Sequence, residues 1–250
     1  MDGSSIQVQR PPRLSVPDGL LGGFSSHDGT FEFYRRVNSI LEPSFTVLDF
    51  GAGRAGWVEE DDVPVRASMR TIKGKVARFI AADIDPVVLQ NQTTDENLLI
   101  EDGVVPLPTG SVDLIICDYV LEHVEDPARF VAEVDRLLRP GGYFCARTPH
   151  GLNYVSIAAR AVRNSQHASI LRKVQPTRKA EDVFPTAYKL NSKRAVRRAF
   201  KGFEDYSYLY VPEPSYYFGK KLVFDCLSVA HKLLPAPFVG NIFVFMRKAA

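Results

Sequence analysis

Thr46-Val47-Leu48-Asp49-Phe50-Gly51-Ala52-Gly53-Arg54-Ala55-Gly56 runs an apolar strand into a glycine-rich turn, with a carboxylate two residues ahead of the first glycine. Glycines at this spacing let backbone amides approach a nucleotide-like ligand, because no side chain holds it off. The same three glycines satisfy G-x-G-x-x-G, so the turn alone leaves two cofactors open: a nicotinamide or flavin dinucleotide, and S-adenosylmethionine.

Working outward, strand and helix signals alternate. Apolar runs predict strands over 76–82, 112–117 and 143–147, with a short helix over 86–92 and an amphipathic helix over 127–138. Phe130, Val131, Val134, Leu137 and Leu138 share one face of that helix, and Arg139-Pro140-Gly141-Gly142 stops it. Upstream, Phe31, Tyr34, Val37, Asn38 and Leu41 recur at helical spacing and predict a helix over 31–41 that packs on the following domain. Downstream, Asn191 is placed to cap a helix, residues 203–211 alternate as a strand, 218–234 read as an amphipathic helix and 241–247 as a last strand. This alternation implies an α/β fold, a Rossmann-like doubly wound sheet, with one antiparallel edge from the terminal strands and ligands at the carboxyl ends of the parallel strands. A single domain over 1–250 is expected, with a tail and lid helix in 1–44, a cofactor-binding core in 45–149, and a substrate cap with terminal strands in 150–250.

Composition limits the alternatives. The 250 residues are 45% hydrophobic and 24% charged, as in a soluble globular protein with one sizeable core. Cysteines at 117, 145 and 226 form no C-x-x-C pair, which argues against a zinc site or disulfide framework and for a reducing compartment. With no leader pattern and no long apolar run, the expected location is cytoplasmic. The net charge of +2 hides a division: residues 1–150 carry 14 Lys/Arg against 23 Asp/Glu, and residues 151–250 carry 17 against 6. No nucleic-acid signature accompanies the basic half, so a nucleic-acid partner is not expected.

The acids discriminate between the cofactors. Asp49 stands where dinucleotide-binding chains usually continue the buried strand with an apolar residue, and a carboxylate there calls for a positive partner, which S-adenosylmethionine supplies through its ammonium and sulfonium. Asp83, at the tip of the second strand beside Ile84, suits ribose hydroxyls, with Asp85 capping the helix begun by Pro86. Glu101 or Asp102 can receive the adenine amino group; the sequence does not separate them.

Taken in order, Val47-Leu48-Asp49-Phe50-Gly51-Ala52-Gly53, Ala82-Asp83-Ile84-Asp85, Pro106-Leu107-Pro108, Ser111 through Val124 and Leu138-Arg139-Pro140-Gly141-Gly142 resemble the class I S-adenosylmethionine-dependent methyltransferases of the type 11 branch. The resemblance covers about residues 45–149. It implies a seven-stranded sheet with an antiparallel last strand, S-adenosyl-L-methionine as cofactor, and a cofactor-binding set of Asp49, Gly51, Ala52, Gly53, Asp83, Ile84, Glu101, Asp102, Cys117 and Asp118. Leu121-Glu122-His123 also resembles the Glu-x-x-Glu-His metal contacts of quinone-pathway O-methyltransferases, but Tyr119 replaces the first glutamate, so no metal is expected.

Methyl transfer is an in-line displacement at the sulfonium carbon, in which positioning and desolvation supply most of the catalysis. For a hydroxyl acceptor the candidate general bases are His150, His123 and His27. The expected acceptor is a glycan, a lipid-linked glycan or another small molecule. Arg172, Lys173, Arg178, Lys179, Lys193, Arg194, Arg197 and Arg198 suit an anionic group on it, and the 218–234 helix is a candidate for peripheral contact with the inner membrane face. A cofactor-binding regulator or partner subunit without turnover is the alternative, followed by an NAD-dependent oxidoreductase.

Overall fold

The computed structural model describes residues 18–161, 185–215, 217 and 220–250. Strands β1 (Thr46–Phe50), β2 (Arg78–Asp83), β3 (Glu96–Leu99), β4 (Val112–Asp118), β5 (Leu138–Pro149), β6 (Phe203–Asp205), β7 (Tyr208–Tyr210) and β8 (Asn241–Lys248) form one sheet. Its order is β3-β2-β1-β4-β5-β8-β6, with β7 also paired to β8. β1 to β5 pair in parallel, and β8 runs antiparallel to β5.

β6 and β7 are one strand position. Their pairings with β8, from Phe203↔Lys248 through Tyr210↔Asn241, keep a single register. The ladder is interrupted because Phe245 N–H donates to Ser207 Oγ (3.2 Å) in place of a backbone carbonyl, while Tyr206 N–H still donates to Phe245 O (2.9 Å). The sheet therefore has seven positions, and its last strand in sequence is the antiparallel one. The terminal strands extend the sheet as expected from the sequence, with the antiparallel β8 between β5 and the β6/β7 position.

Period-two alternation sends strand side chains to two cores. Leu48, Ile80, Ile115, Phe144 and Val244 face one, packed on helix α4 (Pro127–Leu137) and on Val196 and Phe200. Val47, Phe79, Leu114, Cys145 and Phe243 face the other, packed on helix α1 (Gly29–Ile40). Cys117 joins the first core, so both strand cysteines are packing residues. Helix α1 starts where the Asp28 carboxylate accepts from Thr30 and Phe31 N–H, and it buries Phe33, Tyr34 and Val37. The helix expected to serve as a lid is thus a fixed layer of the core. Residues 1–17 lie outside the described residues.

Several boundaries differ from the sequence reading. Leu138 leaves the helix and opens β5, pairing with Val112, so the Arg-Pro-Gly-Gly stop lies inside a strand with an irregular start. The cap of the helix Lys193–Ala199 is Ser192, whose Oγ accepts from Ala195 N–H. Asn191 instead donates to Thr148 Oγ1 (2.7 Å) and Pro149 O (2.8 Å). The amphipathic helix near the C-terminus spans Lys221–Leu233. No helix among the described residues is long and apolar enough to cross a membrane.

Phe33 has no exposed surface and touches both Phe243 and Phe245. Phe33→Ala should lower unfolding free energy by about 3–5 kcal/mol, the cost of a large aromatic lost from a packed core, read from urea denaturation.

Candidate active site

Crossovers of the doubly wound sheet place the ends of β1, β2, β4 and β5 on one side of the molecule. Gly51 sits there at φ +80°, with its N–H donating to Ala82 O (2.7 Å). A Cβ at this position would stand 2.4 Å from a Val120 methyl, so only glycine fits. Gly53, at φ +52°, faces open space: an added Cβ would meet nothing within 4 Å. Gly56 differs, since a Cβ would meet only the movable Arg54 side chain. The third glycine of the G-x-G-x-x-G match is therefore not demanded by a special backbone conformation.

Asp83 holds the turn against the tip of β2. One carboxylate oxygen accepts from Gly53 N–H (2.8 Å) and the other from Asp85 N–H (3.0 Å). Each carboxylate oxygen has two lone pairs, so both can still accept from a ligand. Ile84 beside it is 64% exposed, an apolar surface at the mouth of the site. Asp85 caps the short 3-10 turn Pro86–Gln90 by accepting from Val87 N–H. Ile100 N–H donates to Asp83 O, bringing Glu101 and Asp102 next to this tip, with Asp102 in a left-handed turn at φ +47°.

Three acids, Asp49, Asp83 and Asp118, end adjacent strands, and two of them behave oppositely. The Asp49 carboxylate makes no hydrogen bond or ion pair with any described residue. Its burial, with the charges of Asp118 and Asp83 nearby, pushes its pKa from 3.8 up to about 7, opposed by Arg70. Asp118 is also buried, which would raise it, but Arg147 keeps it below the ordinary carboxylate range. The two are register partners on β4 and β5. Arg147 donates to both carboxylate oxygens, from Nε at 2.5 Å and from Nη2 at 2.9 Å, and the Tyr34 hydroxyl donates to the same carboxylate at 3.2 Å. With its carboxylate so engaged, Asp118 offers an incoming ligand chiefly its backbone and its field. Cys117 offers only backbone, its thiol being in the core and pushed far above its ordinary pKa by burial.

The three histidines are not brought into one cluster. His27 is exposed, its Nδ1 3.1 Å from Ser26 Oγ. His123 follows β4, with Nδ1 2.7 Å from Pro185 O. His150 follows β5; its Nδ1 accepts from Leu152 N–H (3.1 Å), a hydrogen bond ties the ring to the Pro237 backbone, and burial lowers its pKa. Behind them Glu122 is buried and accepts from Thr148 Oγ1 (2.8 Å), extending the polar network to Asn191.

Sequence reasoning missed Arg147, Tyr34 and Arg70. A signal existed for Arg147: a lone arginine inside the apolar strand Tyr143-Phe144-Cys145-Ala146-Arg147 must be paired if buried, and Asp118 ends the neighbouring strand. Tyr34 had been read only as a packing position. Arg70 carried no signal, because its helix, α3 (Pro64–Arg70), which follows the one-turn α2 (Trp57–Glu60), is only 7 residues long.

Comparison with known proteins agrees with this geometry. Residues 64–146 match the type 11 methyltransferase domain family. Over 50 residues the chain is 46% identical to the "probable S-adenosylmethionine-dependent methyltransferase" of Mycolicibacterium smegmatis, a stretch that is 20% of each protein. Over 102 residues it is 31% identical to the ubiquinone biosynthesis O-methyltransferase of Cupriavidus pinatubonensis, covering 41% of this chain and 40% of that one. The chain thus spans well under half the length of these relatives. A chain of the complex between the Haloferax volcanii Trm112 methyltransferase activator and a methyltransferase shares the fold, with a TM-score of 0.53 over 88% of this chain and 90% of that one at 14% identity. Residues 64–146 are thus similar to type 11 methyltransferase domains, and the relatives and the fold point to S-adenosyl-L-methionine as the cofactor.

Arg147→Met, which strands a buried carboxylate, should cost about 3–5 kcal/mol in urea denaturation, and adding Asp118→Asn should recover most of it. Asp49 works in the other direction. Its native pKa lies above its unfolded value, so the native state binds the extra proton between pH 3.8 and about 7. Its contribution to stability is present below that window and is lost as pH rises through it. Relative to Asp49→Asn, the ligand-free protein should lose stability from pH 4 to 7, seen as a falling difference in urea midpoints.

Proposed function

We propose that this chain transfers the methyl group of S-adenosylmethionine to a hydroxyl of an apolar, anionic small molecule, with a lipid-linked glycan as the leading class. One observation carries the cofactor half of this reading: Asp49, an acid with no cationic partner among the described residues, stands beside a glycine turn open at Gly53. Filling the turn with a cationic nucleoside relieves the repulsion among Asp49, Asp83 and Asp118, whereas a dinucleotide would bring phosphate charge against three acids.

The residues fit such a group. Asp49 would hold the methionine ammonium, Gly51, Ala52 and Gly53 would lie along the chain of the cofactor, Asp83 would take the ribose hydroxyls, Ile84 would cover a base face, and Glu101 or Asp102 would receive the adenine amino group. The bound cofactor supplies an activated methyl group on a sulfonium. The chain's own work is to orient, to exclude water and to remove the acceptor's proton. His123 and His150, at the ends of β4 and β5, are the better-placed bases for that step, and His27 the more exposed one.

The acceptor half rests on two surfaces. A groove of about 400 Å³ near the end of β5 is walled by Leu152, Tyr154, Ile157, Leu227, Leu234 and Phe238, and offers almost no polar surface. Lys193, Arg194, Arg197, Arg198 and Lys201 line a second, basic depression, in which Arg197 is already paired with Asp205. Arg172, Lys173, Arg178 and Lys179, expected to add to this charge, lie outside the described residues. The groove suits an apolar body and the depression an anionic group. The outward Leu222 and Leu233 of the Lys221–Leu233 helix support a peripheral membrane contact, in keeping with a cytoplasmic enzyme working at the inner face.

Calorimetry should show S-adenosylmethionine and S-adenosylhomocysteine binding and NAD not binding. Asp49→Asn should weaken S-adenosylmethionine at least tenfold at pH 8, and wild-type affinity should rise as pH climbs through 7 and Asp49 ionises. Labelled methyl transfer into a lipid-extractable fraction of cell extract is the expected product result. Tight cofactor binding with no labelled fraction would instead favour a non-catalytic partner subunit.

A further inference from the structure

Within α3, Arg66 and Arg70 lie one turn apart and are held very differently. Arg66 is saturated: it donates to Asp28 Oδ2 (2.6 Å) and to both oxygens of Asp61, and stands 3.6 Å from Asp62. Arg70 has no hydrogen bond or ion pair with any described residue, and its Nε is shut away from solvent without an acceptor. Its guanidinium is nonetheless fixed in place, 4.7 Å from the ring centre of Trp57, just past the glycine turn, and 5.6 Å from that of Tyr34. Tyr34 is itself anchored on Asp118. A guanidinium clasped by aromatic rings keeps its N–H edges available in its own plane, the geometry that receives a carboxylate with two parallel hydrogen bonds.

Geometry places Arg70 in the region of Asp49: Tyr34, over whose ring Arg70 lies, donates to Asp118, and Asp118 stands on β4 two residues beyond Ile116, the register partner of Asp49. The field of Arg70 accordingly lowers the pKa of Asp49, without the two pairing. An anion site and a cation site left open side by side match one kind of ligand, an α-amino acid, whose ammonium and carboxylate flank a single carbon. We propose that Arg70, clasped by Trp57 and Tyr34, binds the α-carboxylate of the amino-acid end of the cofactor while Asp49 takes its ammonium. This rests on the methyl-transfer reading and adds to it the residue that distinguishes a nucleoside carrying an amino acid from one that lacks it. Arg70 is a binding residue, not a participant in the displacement.

The test compares S-adenosylhomocysteine with 5′-methylthioadenosine, a nucleoside thioether without the amino-acid end, by calorimetry and by fluorescence of Trp57, the only tryptophan in the chain. Arg70→Met should weaken S-adenosylhomocysteine about 30-fold and leave methylthioadenosine within twofold, since charge-assisted bidentate contacts are lost from one ligand only. Arg70→Lys should restore part of the difference. In the wild-type protein, S-adenosylhomocysteine should change Trp57 emission and methylthioadenosine should not. Unchanged S-adenosylhomocysteine affinity in Arg70→Met overturns the proposal, and so does equal weakening of both ligands, which would make Arg70 a support of the whole site. If the wild-type protein binds methylthioadenosine but not S-adenosylhomocysteine, the assignment of Arg70 fails and nucleoside recognition stands. If it binds neither, the methyl-transfer reading fails and the assignment with it.

Discussion

The buried pair between Asp118 and Arg147 is the constraint around which this end of the molecule is organised. Two charges removed from water at the carboxyl ends of β4 and β5 are tolerable only when each satisfies the other, and here two short hydrogen bonds do so. Arg147 has further contacts. It donates to Thr30 Oγ1 (3.0 Å) and lies over the rings of Phe33 and Tyr119, while Tyr34 bonds the other partner. Helix α1 is thereby fixed to the sheet by polar contacts at the site and by apolar contacts along its length.

That arrangement explains why Asp49 differs from Asp118. Both are carboxylates at the ends of neighbouring strands in the same electrostatic environment. Asp118 has taken the guanidinium of Arg147 and keeps its charge; burial first, and then that charge, make ionisation of Asp49 unfavourable. On the proposed reading a cationic ligand supplies the counter-charge that Asp49 lacks in the fold. The proposed function then rests on an interaction left unmade, at an electrostatic cost borne by the fold.

The same logic separates two parts of the chain. In the core around the glycine turn, backbone demands fix residue identity, as at Gly51, where Val120 fills the space that a side chain would need. Past β5, identity follows surface chemistry: an apolar groove and a basic depression, set by residues whose backbone would accept many alternatives. This is where enzymes on a common scaffold diverge in what they bind.

The strand-turn at 46–53, the alternating elements, the acid at the tip of β2 and the family resemblance are all legible in the sequence, because they follow from short-range periodicity and from glycine spacing. It left β3 unread, since Glu96-Asn97-Leu98-Leu99 is only partly buried and shows no clean alternation. It put a cap on Asn191, whose side chain prefers Thr148 and Pro149 across 42 or more residues. It took the packed fold to show that Asp118 is paired and Asp49 is not, that β8 inserts beside β5, and that Arg70 lies against the rings of Trp57 and Tyr34. Each of those depends on which side chains from distant segments meet, and charge pairing between them is settled by burial and distance, which no local pattern records.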